Sequence, residues 1–65
     1  MQYYFLSFEV KHSTNNHYTL VIENEDSETF TAVTSDQSLI DRLESCDPTA
    51  EDDAILLVKI ENGLI

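Results

Sequence analysis

Tyr3-Tyr4-Phe5-Leu6-Ser7-Phe8-Glu9-Val10-Lys11 is the stretch on which the fold turns, because side chains of contrasting character alternate along it with period two. Read as a strand over residues 2–12, it puts Tyr4, Leu6, Phe8 and Val10 on one face. Tyr3, Phe5, Ser7, Glu9 and Lys11 fall on the other, as a half-buried strand requires. A second alternating run extends from His17 to Glu23, with Tyr18, Leu20 and Ile22 on its apolar side. Directly opposed residues of an antiparallel pair share a face, so the turns can be tested against the alternation. A two-residue Asn15-Asn16 turn would oppose Phe8 to Glu23 and fails. A three-residue loop of Thr14, Asn15 and Asn16 pairs Val10 with Leu20 and Phe8 with Ile22, with Asn16 in the left-handed conformation that Asn tolerates. Around Glu25-Asp26-Ser27 the same test pairs Ile22 with Phe30 and Leu20 with Ala32, although no Gly or Asn occupies the positive-φ position.

Downstream, Thr34-Ser35-Asp36 supplies oxygens for an N-cap, and Leu39, Ile40, Leu43 and Cys46 follow at helical spacing. This predicts one amphipathic helix over residues 36–46, stopped at Asp47-Pro48. Residues 47–53 form at most a single helical turn in this reading. The nearly continuous apolar run from Ala54 to Glu61 then predicts a last strand covered on both faces, and Asn62-Gly63 a final turn.

The element order is thus β-β-β-α-β, an α+β fold in a single domain over residues 1–65. A right-handed crossover places the last strand beside the first, giving a four-stranded mixed sheet of order 3-2-1-4 with one helix packed on one face. The uncovered face then carries Tyr3, Phe5, Val21, Val33 and Leu57, more apolar surface than a face turned only to water needs. These five residues are the expected interface if the chain pairs with a second copy.

Thirteen Asp and Glu stand against three Lys and Arg, for a formal net charge of −10 over 65 residues. Hydrophobic residues nevertheless make up 42% of the chain, so it belongs with folded domains rather than acidic tails. Its longest apolar runs are far too short to span a bilayer, and no basic leader precedes them, which together with a lone cysteine favours a cytoplasmic protein. So negative a chain is repelled by nucleic-acid phosphates, which argues against direct nucleic-acid binding.

No constellation of catalytic residues emerges. Cys46, on the apolar stripe of the helix, reads as a small buried hydrophobe and not a nucleophile. His12 and His17 flank the first turn on opposite faces, two ligands where closed metal sites need more. The acids near Asp47 lack the spacing and the glycine of a calcium loop. Neither a metal nor a cofactor is expected, nor an enzyme.

Charge clustering carries the functional reading. Glu44, Asp47, Glu51, Asp52 and Asp53 gather at the end of the helix and in the segment after it, where Pro48 restricts the chain. Carboxylates held on a rigid scaffold can occupy a basic groove that ordinarily takes DNA or RNA. The chain therefore reads as an acidic interaction protein, an inhibitor or nucleic-acid mimic of a basic partner. A homodimer built through the open sheet face is the alternative. Crowding of like charges is further expected to raise carboxylate pKa values in this cluster.

Overall fold

The computed structural model describes residues 2–12 and 16–65. Three strands, β1 (Tyr3–His12), β2 (Asn16–Asn24) and β3 (Thr29–Thr34), precede two helices, α1 (Gln37–Glu44) and α2 (Pro48–Glu61). The strands form one antiparallel sheet in the order β1-β2-β3. The α+β class stands; the fourth strand and the order 3-2-1-4 do not.

The residues assigned to that fourth strand are the body of α2. Asp47 is its N-cap, accepting from the Thr49 backbone N–H, and Pro48 occupies the first turn, where its missing N–H has no partner to lose. Pro48 therefore starts a helix as well as ending one. A short apolar run has no period that separates strand from buried helix. What separates them here is that Ala50, Ala54 and Val58, spaced by four, are all fully buried.

Of the two turn readings, the second holds in full. Ile22 pairs with Phe30 and Leu20 with Ala32. Ser27 takes the left-handed conformation at φ 64°, and the turn is secured instead by Asn24. Its buried Oδ1 accepts from the N–H groups of Asp26 (3.0 Å) and Glu28 (2.9 Å), while its Nδ2 donates to Glu28 Oε1.

The first hairpin differs. Val10 pairs with Tyr18 and Phe8 with Leu20, two residues away from the expected register, and Asn16 itself belongs to β2. A slip of two leaves every side chain on its face, so alternation could not distinguish the registers. Thr14 and Asn15 of the expected loop lie outside the described residues.

A bulge between Phe5 and Ser7 then reverses the faces of the strand's first half. Phe5 pairs with Ile22 and Tyr3 with Asn24, so both aromatics join the core side. Tyr4 and Leu6 are left 45% and 49% exposed. Because Tyr3-Tyr4-Phe5-Leu6 is apolar at every position, either parity could be buried, and the bulge selects Tyr3 and Phe5, which pack against the core. The Tyr3 and Phe30 rings meet edge to face at 6.1 Å.

Both helices lie on one side of the sheet. Leu20, Ile22, Ile40 and Val58 are the largest fully buried side chains, with Tyr18, Ala32, Leu39, Leu43, Ala50 and Ala54 completing the core. Asp36 caps α1 by accepting from Leu39 N–H, and Tyr18 joins that helix to the sheet by donating to Gln37 Oε1 at 2.7 Å. At the other end of the layer, Asn62 Nδ2 donates to the carbonyls of Thr31 and Val58, fastening the end of α2 to β3.

Both helices end in the same way. After α1, Cys46 N–H donates to Leu43 O and Asp47 N–H to Arg42 O. After α2, Gly63 N–H donates to Ile60 O and Leu64 N–H to Lys59 O. Each is a Schellman closure, with Cys46 (φ 59°) and Gly63 (φ 67°) in the left-handed position. Cys46 is therefore exposed, not buried on the helix stripe. Its offset of three from Leu43 implied burial only if the helix continued to it.

Candidate partner-binding surface

Glu44 ends α1, Asp47 caps α2, and Glu51, Asp52 and Asp53 lie in the first turns of α2. The αα-connection is short, so these acids lie on the two helical segments that flank it. Arg42 organises them. Its Nη2 donates to Asp53 Oδ2 at 2.9 Å and to Thr49 Oγ1 at 3.0 Å, while its Nε lies 3.6 Å from Asp47 Oδ2. One cation thus spans two carboxylates from the α2 start, and its importance was not legible in the sequence because Asp53 lies eleven residues away.

Electrostatics within the cluster run opposite to the expected crowding at Asp47. The Thr49 hydroxyl and backbone N–H, with Arg42 nearby, hold the Asp47 carboxyl below its ordinary range. Hydrogen bonding to Asp53, and the charges of Asp53 and Asp47, hold Arg42 more firmly protonated. The side chains of Glu44, Glu51 and Asp52 make no hydrogen bond or ion pair among the described residues. Lys59 sits 5.1 Å over the Tyr3 ring.

The five residues expected to share the open sheet face are divided by the structure. Tyr3, Phe5 and Leu57 pack against the core from the helical side. Val21 and Val33 remain on the outer sheet face, where Val33 is 58% exposed. The divisions have two causes: the bulge in β1 turned Tyr3 and Phe5 inward, and Leu57 belongs to a helix. Among the described residues no element covers that outer face.

Among the described residues there is no pocket and no group of three His, Cys, Asp or Glu side chains placed to hold a metal ion. No described helix is long and apolar enough to cross a membrane. No family model, curated protein or solved structure matches this chain.

Proposed function

We propose that this chain is a non-enzymatic acidic interaction protein that binds a basic protein, acting as an inhibitor or nucleic-acid mimic within the cytoplasm. The observation that carries this reading is the junction of the two helices, where the Glu44, Glu51 and Asp52 side chains have no partner among the described residues and Arg42 holds Asp47 and Asp53 in place. The two carboxylates that Arg42 holds lose little side-chain freedom on association. Its long-range field also steers a cationic surface towards it. The homodimer reading has weaker support, since three of its five residues serve the core of a single copy.

The test begins with capture of binding proteins from the native host extract and proceeds to affinity measurements on each one purified. The expected partner is a basic, nucleic-acid-binding protein from which oligonucleotides displace this chain, with affinity that falls steeply as salt rises. A Glu44→Gln, Glu51→Gln, Asp52→Asn variant, which leaves the caps and the Arg42 contacts intact, should associate more slowly. Unchanged affinity and salt dependence in that folded variant would return the acidity to a solubility role.

A further inference from the structure

Helix α2 is apolar on two opposite sides. Ala50, Ala54 and Val58 are buried against the sheet, yet Leu56 is 49% and Ile60 59% exposed. At about 100° per residue, Thr49, Asp52, Asp53, Leu56, Lys59 and Ile60 all fall on the side opposite that buried stripe, with the Lys59 ammonium lying over the Tyr3 ring. On this side Asp52 and Asp53 are therefore followed by two aliphatic side chains one helical turn apart. Arg42 holds the Thr49 and Asp53 end of this stripe, while Asp52, four residues before Leu56, has no partner among the described residues.

We infer that the outer stripe of α2 is the contact surface for the basic partner, with Leu56 and Ile60 entering an apolar depression that is flanked by the partner's Lys or Arg side chains. This rests on the acidic-interaction reading and names the chemistry the partner must present. Charge complementarity selects that occupant over a second copy: two chains of net charge −10 repel one another on approach, whereas a cationic surface is drawn to the chain. Carboxylates provide steering and orientation. Desolvation of the two aliphatic side chains provides short-range affinity that charge in water does not.

Two synthetic peptides of equal length and lysine content test this, one with leucines at helical spacing and one with serines in their place. The leucine peptide should bind wild type at least about tenfold more tightly, a modest return for partial burial of two aliphatic side chains. In Leu56→Gln, Ile60→Gln that advantage should vanish while the serine peptide binds as before. Equal binding of the two peptides to wild type, or an advantage that survives the substitutions, overturns the inference and leaves the acidic reading standing. Absence of salt-sensitive binding by either peptide removes the acidic reading and this inference with it. Should the variant fail to fold, amide shift mapping on wild type decides: perturbation centred on Asp52, Leu56 and Ile60 supports the stripe, and perturbation centred on Tyr4, Val21 and Val33 overturns it. A wild-type dimer in sedimentation that dissociates in Leu56→Gln, Ile60→Gln identifies a second copy as the occupant and likewise overturns it.

Discussion

Cys46 holds a backbone conformation that suits glycine, since a Cβ in the left-handed region crowds the neighbouring carbonyl. Glycine at that position should stabilise the protein: Cys46→Gly is expected to gain about 0.5–1 kcal/mol in urea unfolding, less whatever the unfolded chain gains in freedom. Gly63→Ala, in the same position after α2, should lose about 1 kcal/mol. Because the thiol is exposed, a thiol reagent should label the native protein without prior unfolding. Thr19 offers a different test. Its hydroxyl is buried and has no hydrogen-bond partner among the described residues. Thr19→Val, nearly isosteric and suited to a strand, should therefore leave stability unchanged or raise it by up to about 1 kcal/mol. A loss of stability in that variant would mean the hydroxyl does find a partner.

At the level of elements, α2 makes the sharpest prediction, because a strand and a helix assign Leu56 and Val58 differently. In a strand the two would share a face. In α2 Val58 is fully buried and Leu56 half exposed. Val58→Ala should cost about 1–3 kcal/mol in chemical denaturation and Leu56→Gln less than about 0.5 kcal/mol. The helix start adds a pH dependence. Asp47 has a folded-state pKa below its unfolded one, so its contribution is complete above the unfolded value and disappears as pH falls through the folded one. Between pH 7 and 5 this residue adds no slope; the loss comes below about pH 4. Asp47→Asn keeps a good capping side chain, so urea titrations towards low pH should show a shallower acid limb than wild type. Cap signals were legible at both helices, but their sense was not: the Asp47-Pro48 pair marks a helix beginning as readily as a helix ending, and only the packing of Ala50, Ala54 and Val58 determines which.

Across the whole molecule, a net charge of −10 on so small a body opposes compaction. Raising salt from about 10 mM to about 150 mM should therefore shift the urea midpoint upward, since the Debye length contracts from about 30 Å to about 8 Å and screens repulsion across the domain. The Arg42 contacts with Asp47 and Asp53 are exposed and lose strength in the same change. A downward midpoint would mean that these local attractions outweigh the summed repulsion. The same balance bears on binding. Of the acids expected to form a partner site, the tertiary structure joins Asp47 and Asp53 through Arg42, while the side chains of Glu44, Glu51 and Asp52 have no partner among the described residues.

By itself the sequence determined the α+β class, the antiparallel β2–β3 register, the α1 helix and the acidic end of the chain's helical half. Those features depend on local periodicity, on turn and cap chemistry and on composition, all of which are written in neighbouring residues. Only the tertiary structure decided that residues 48–61 coil against the sheet instead of joining it. It alone decided that a bulge turns Tyr3 and Phe5 inward, and that Leu56 and Ile60 face away from the core. An apolar run such as Ala54–Ile60, and a segment apolar at every position such as Tyr3–Leu6, satisfy more than one local geometry. The choice between those geometries is made by which arrangement fills the space between one sheet face and two helices.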